Sequence, residues 1–340
     1  MKWKYFMKPN LMLTLAALLL AMNVTTVKGV ESLPSLKDGT PPQTFEEMWA
    51  GFDPRAEPLE VEVLKEWEKD GVILKVLRYR IGIFKGQKAM MAAIYGFPKG
   101  GTNLPGLVQI HGGGQYADYR AVLTNAKRGY ATISIAWAGR LTAPGYVVGS
   151  SAVKLFWEGK TNDPNYKITT DWGVLDGYHA PCRFPADDFV TNPPSEHTLD
   201  PVASPRNSGW FLCTLGARRA LTFLEHQPEV NGSTLGVYGH SMGGNLTLYV
   251  AGTDQRVKAA VVTCAGGIGD QSDHFHNTAF GNAAYAAHVT CPVLFVNPSD
   301  DFHGTILGVE HTSRIIQSKD FRFSRPPQIN HSSPPDFTVT

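Results

Sequence analysis

From residue 61 onward the chain alternates short apolar runs with segments whose apolar residues recur at helical spacing. Residues 61–64, 72–84 and 89–97 read as strands, and Pro98-Lys99-Gly100-Gly101 closes the last of them in a loop. Residues 107–110 form a short apolar strand that runs straight into His111-Gly112-Gly113-Gly114-Gln115. A helix is expected over 119–128, stopped by Gly129, with a strand over 131–137 after it. A longer helix over 210–226 carries Leu212, Leu215, Ala220, Leu221 and Leu224 on its apolar face. Strands over 233–238, 257–263, 292–296 and 321–323 follow, with helices over 244–251 and 306–317 between them. Strands alternating with helices imply right-handed crossovers and a mostly parallel sheet covered on both faces, so the expectation is one α/β domain over 59–340.

The pattern fails in three places. Between 139 and 208 there is no sustained periodicity, only Pro, Asn, Asp and Gly with Trp157, Tyr166, Trp172, Tyr178 and Phe184 scattered among them. An insert of that length in a compact domain is usually functional, and here it is expected to be lid-like. Residues 30–58, rich in Pro, Glu, Ser and Thr, read as an irregular lead-in. The first 29 residues have Lys2, Lys4 and Lys8 ahead of an apolar run over 11–24 that only Thr14 and Asn23 interrupt. A basic start and an apolar run too short to span a bilayer read as a signal peptide, cleaved after Gly29, so the protein is expected to be secreted or periplasmic.

Composition narrows the function classes. With 43% hydrophobic and 18% charged residues the chain is globular, and 31 basic against 30 acidic residues leave a net charge of +1. No basic block of five or more occurs, so nucleic acid is not an expected partner. Cys182, Cys213, Cys264 and Cys291 have no zinc or redox spacing; an even number permits disulfides in an exported chain, although Cys264 and Cys291 beside apolar strands read as small core residues.

The candidate chemistry lies in Gly239-His240-Ser241-Met242-Gly243, between an apolar strand and a helix. Strand, G-x-S-x-G, then helix is the context of a nucleophile elbow, where a strained turn projects the serine Oγ outward. A serine hydroxyl needs a base, and the base needs an orienting acid. After the strand over 292–296 comes Asn297-Pro298-Ser299-Asp300-Asp301-Phe302, and about 30 residues later Asn330-His331 stands in a loop. Ser241, Asp301 and His331 would converge above the carboxyl ends of the strands, with Asp300 as the alternative acid. His303 lies two residues from the acid and His311 falls mid-helix, so neither suits a loop-borne base. His240 reads as packing beside the turn. The glycines of the 111–115 loop would let a backbone N–H approach a developing alkoxide, so Gly113 or Gly114 would pair with the Met242 N–H as an oxyanion hole.

Taken together, HGGGQ at 111–115, GHSMGG at 239–244, NPSDDF at 297–302 and the Asn330-His331 loop resemble the α/β-hydrolase superfamily. Within it, residues 72–337 are most similar to the dienelactone-hydrolase-like and acetyl xylan esterase-like group. The resemblance implies an acid just before a phenylalanine, which Asp301 matches better than Asp300. Serine in place of the cysteine of true dienelactone hydrolases implies ester hydrolysis. It also implies a helix after the histidine, for which the nine residues beyond His331 leave little room. The expected activity is that of a serine esterase on a small-molecule or carbohydrate ester, without cofactor or metal. Asp273, His274, His276 and Asn277 make a conceivable metal cluster but read more simply as polar turn residues. A prolyl-oligopeptidase-like peptidase would need a propeller, and no 40–50-residue repeat supplies one. A non-catalytic carbohydrate-binding protein on this scaffold would be expected to lack part of the serine, acid and histidine set.

Overall fold

The computed structural model describes residues 30–146, 192–195, 198–268 and 281–332. Its centre is a nine-stranded sheet. In chain order the strands are β1 (Glu62–Lys69), β2 (Val72–Phe84), β3 (Gln87–Pro98), β4 (Leu104–Ile110), β6 (Ala131–Ile135), β8 (Val230–His240), β9 (Val257–Thr263), β10 (Val293–Val296) and β11 (Phe321–Ser324). Two-residue strands β5 (Ala117–Asp118) and β7 (Leu141–Thr142) pair separately. The large sheet runs β1-β2-β3-β6-β4-β8-β9-β10-β11. Its first three contacts are antiparallel and the remaining five parallel, as a mostly parallel α/β sheet requires.

Side-chain alternation divides the core between the two faces of the sheet. Val72, Leu74 and Val76 of β2 and Ala92 and Ile94 of β3 join a cluster with Val122 and Ala126 of α2 (Tyr119–Lys127). Their odd-numbered neighbours Leu77, Tyr79, Ile81, Met91, Ala93 and Tyr95 face the larger cluster, with Phe211, Leu215 and Phe223 of α3 (Gly209–Glu225). Caps fix where these helices start: the Asp118 side chain accepts from the Arg120 N–H, and Ser208 accepts from the Trp210 N–H. α4 (Met242–Thr253) packs against β8 and β9.

Two elements depart from the sequence reading. Strand β1 continues to Lys69, paired with β2, and the sequence reading stops short because the largely charged, exposed residues at this sheet edge carry no apolar run. The lead-in contains a helical turn, α1 (Phe45–Trp49): Thr44 Oγ1 accepts from the Glu47 N–H and the Glu47 carboxylate accepts from the Gln43 N–H. Met48 and Trp49 then reach the larger core, where Trp49 packs on Phe211 at 4.8 Å. Arg219, buried on α3, holds the rest of the lead-in by donating to the Pro54, Glu57 and Pro58 carbonyls. The signal-peptide reading, most of the insert with its five aromatic residues, Cys182, and the 273–277 cluster lie outside the described residues.

Candidate active site

β8 ends at His240, and Ser241 precedes α4 with φ 56° and ψ −122°, a conformation side-chain-bearing residues avoid. Two close approaches hold the turn. A Cβ on Gly239 would lie 2.3 Å from the Gly243 carbonyl oxygen, and one on Gly243 would lie 2.1 Å from that of Ile110. The flanking glycines therefore let strand, helix and the end of β4 meet at one point. The Ser241 N–H is fixed by the Thr263 carbonyl of β9 at 2.8 Å, leaving its hydroxyl to face the neighbouring loops.

His331 meets that hydroxyl. Its Nε2 is 2.7 Å from Ser241 Oγ, and its Nδ1 is 3.1 and 3.2 Å from the two carboxylate oxygens of Asp301. A carboxylate only accepts, so the ring partners assign the proton to Nδ1 and leave Nε2 to accept from the serine hydroxyl. Asp301 is itself held: Oδ1 also accepts the N–H groups of His303 at 2.7 Å and Gly304 at 2.9 Å. Burial alone would raise this carboxyl, but the His331 ring and those two N–H groups outweigh it and hold its pKa at about 2. Asp300 instead accepts the Asn330 N–H at 3.0 Å, anchoring the loop that carries His331.

Two further imidazoles flank His331. The rings of His240 and His303 each lie 5.1 Å from it, centroid to centroid. Burial pushes His240 down to about 4 and lowers His303, with repulsion from His331 in the same direction, so both stay neutral at neutral pH. His311 sits within α5 (Ile306–Ile315).

The 111–115 loop leaves β4 directly beside the elbow, where a Cβ on Gly112 would come 3.1 Å from the His240 carbonyl oxygen. His111 is fully buried against Trp137, whose Nε1–H donates to the His111 carbonyl at 2.8 Å, and burial drives its pKa down to about 3. Gln115 Oε1 accepts the Gly112 N–H at 2.7 Å and closes the turn. Among the described residues the N–H groups of Gly113 and Gly114 have no hydrogen-bond acceptor. Met242 opens α4, where an N–H has no acceptor within its own helix.

The resulting arrangement has a serine on a strained strand-to-helix turn at the carboxyl edge of a parallel sheet, and solved structures share the fold that carries it. The acetyl xylan esterase from Paenibacillus sp. R4 superposes with a TM-score of 0.58 at 18% identity, over 90% of this chain and 93% of that one. The chain has the α/β-hydrolase fold. Acetyl Xylan Esterase 1 from Thermoanaerobacterium sp. JW/SL YS485 gives a TM-score of 0.57 at 17% identity, over 88% and 92% of the two chains. Methylesterase BT1017 gives 0.52 at 13% identity, over 83% of this chain and 55% of that one. Residues 218–305 match the family described as BAAT / Acyl-CoA thioester hydrolase C terminal, a span that contains Ser241 and Asp301. No curated protein matches the chain by sequence.

One residue of this site escapes the sequence reading. Cys264, just past β9 and at φ 52°, directs its Sγ toward the Ser332 carbonyl at 3.4 Å and also contacts Asp301. Burial, reinforced by the Asp301 carboxylate, pushes its thiol well above the ordinary cysteine range, so it stays protonated. It is a free cysteine, as is Cys291, and both are buried, as is Cys213.

Proposed function

We propose that the protein is a serine esterase in which Ser241, His331 and Asp301 act as a catalytic triad. The observation that carries this reading is the His331 ring between Ser241 Oγ and the Asp301 carboxylate, at 2.7 and 3.1 Å. As Ser241 Oγ attacks an ester carbonyl, His331 Nε2 takes its proton and the ring becomes an imidazolium, which Asp301 stabilises through Nδ1–H. The carbonyl oxygen becomes an oxyanion, and the Met242 N–H with that of Gly113 or Gly114 would donate to it, at roughly 3 kcal/mol of transition-state stabilisation per donor. The imidazolium then protonates the leaving alcohol. Water deprotonated by the same nitrogen hydrolyses the acyl-enzyme and restores Ser241.

For the substrate we favour acetyl esters of carbohydrates. Support comes from the shared architecture with acetyl xylan esterases and from the aromatic side chains at 157–184, suited to stack against sugar rings. Export is proposed on the amino-terminal sequence alone.

The test is hydrolysis of p-nitrophenyl acetate and butyrate, alongside Ser241→Ala and a serine-reactive fluorophosphonate label. Turnover and labelling should both vanish in the variant, and acetate should be preferred over butyrate. A folded wild-type protein that neither turns over nor labels would refute the esterase. Failure to release acetate from acetylated xylan would refute the carbohydrate substrate alone.

A further inference from the structure

Cys264 performs no step of acyl transfer, yet its thiol stands among the groups that do. Its Sγ, an Asp301 carboxylate oxygen and a ring nitrogen of His331 lie within 4.8 Å of one another. The nitrogen on that side of the ring is Nδ1, since Nε2 faces Ser241 Oγ. Thiolate, imidazole and carboxylate together form a donor set suited to zinc or cadmium and poorly suited to magnesium or calcium. Ligand atoms around tetrahedral zinc stand about 3.3–3.8 Å apart, given bonds of about 2.0–2.3 Å. Asp301 and Nδ1, at 3.1 and 3.2 Å, stand only a little inside that spacing, and the cysteine has of the order of 1 Å to close.

We propose that Cys264, Asp301 and His331 form an inhibitory binding site for a thiophilic divalent cation, which switches the hydrolase off by inverting the His331 tautomer. This inference deepens the serine-esterase reading and rests on it for its consequence. The cation takes the lone pair at Nδ1 in place of the proton there, and that proton relocates to Nε2. Nε2 then carries a hydrogen and cannot accept one from Ser241, so the nucleophile loses its base. The Cys264 proton is released to solvent. Thiolate and carboxylate contribute two negative charges against the cation's two positive ones, so the half-buried site holds no net charge. A fourth position is left to water. The device depends on the thiol, because aspartate and histidine alone offer two ligands.

Full-chain protein is titrated with ZnCl2, CdCl2 and MgCl2 during p-nitrophenyl acetate hydrolysis. Separately, CdCl2 is added while the ultraviolet sulfur-to-cadmium charge-transfer absorption is recorded. Zinc and cadmium should inhibit and magnesium should not, and a chelator should restore the rate. In Cys264→Ala and Cys264→Ser, each checked for a native melt, inhibition relative to the variant's own rate should weaken by roughly a hundredfold. The cadmium band should fall in both. Undiminished inhibition in a natively melting variant, or a wild-type cadmium band in it, would overturn the site. The band requires no turnover. A protein that shows it through Cys264 without hydrolysing esters keeps the metal site and refutes only the esterase.

Discussion

Replacing Asp301 by asparagine isolates the tautomer argument from the fold. Asp301 Oδ1 accepts three donors, the His303, Gly304 and His331 Nδ1–H groups at 2.7, 2.9 and 3.1 Å, and Oδ2 faces His331 at 3.2 Å. In Asp301→Asn the amide oxygen keeps the two backbone donors, which places the amide NH2 where Oδ2 stood. An NH2 facing Nδ1 requires Nδ1 to accept, so the ring proton moves to Nε2 and points at Ser241. The same exchange in serine proteases lowers kcat by about 10⁴, or about 5 kcal/mol of transition-state stabilisation. The turn keeps its backbone bonds, so the melting temperature should stay within a few degrees of wild type. Asp300→Asn is the control: among the described residues that carboxylate accepts only the Asn330 N–H, a bond the amide oxygen can keep, so kcat should stay within a few-fold of wild type. The assay is kcat on p-nitrophenyl acetate with a parallel thermal melt. Should folded Asp301→Asn turn over within tenfold of wild type, or should Asp300→Asn fall as far, the assignment of roles is wrong.

Three further outcomes follow from the same geometry. The Asp301 carboxyl titrates at about 2 against an ordinary 3.8, so its folded pKa is depressed. Its stabilisation, about 2 kcal/mol, is therefore present above pH ~4 and lost as the pH falls from there through ~2; urea denaturation across that window should show a steeper loss in wild type than in Asp301→Asn. Ser241→Gly relieves a backbone at φ 56° that Ser241→Ala retains, so calorimetry should find the glycine variant about 1 kcal/mol more stable than the alanine variant, both being inactive; equal stabilities would mean the elbow stores no strain. Gly243→Ala places a methyl 2.1 Å from the Ile110 oxygen and 2.5 Å from the His111 oxygen, where backbone must move, and should destabilise by about 3 kcal/mol in chemical denaturation.

What the sequence makes legible follows from where the information lies. The strand and helix order is written in periodicity, and the elbow in glycines that a close approach demands, so both can be read before any contact is known. The lead-in helix was equally readable, since Thr44 and Glu47 stand at capping-box spacing, but a run of Pro, Glu and Ser obscures it. Asp300 and Asp301 look alike as a pair of turn carboxylates; only three-dimensional placement sends one to His331 and the other to Asn330. No pattern marks Cys264, because its significance lies entirely in which strand ends are neighbours.

That neighbour relation also explains why His331 must come from the far edge of the sheet. In the order β4-β8-β9-β10-β11, the glycine loop leaves β4, Ser241 leaves β8, Cys264 leaves β9 and Asp301 leaves β10. β8 and β10 are two strand spacings apart, roughly 10 Å, too far for a carboxylate to touch the serine and about the span of an imidazole with a hydrogen bond at either end. The loop after β11 folds back across β10 to lay the ring over that gap. Whatever side chain ends the intervening strand then lies beneath the ring, within reach of both the acid and the base. In this chain that side chain is a thiol. The sheet spacing that makes a serine, histidine and aspartate relay possible is thus the same spacing that gives Cys264 its access to Nδ1, so a metal bound there would block acyl transfer without touching the serine.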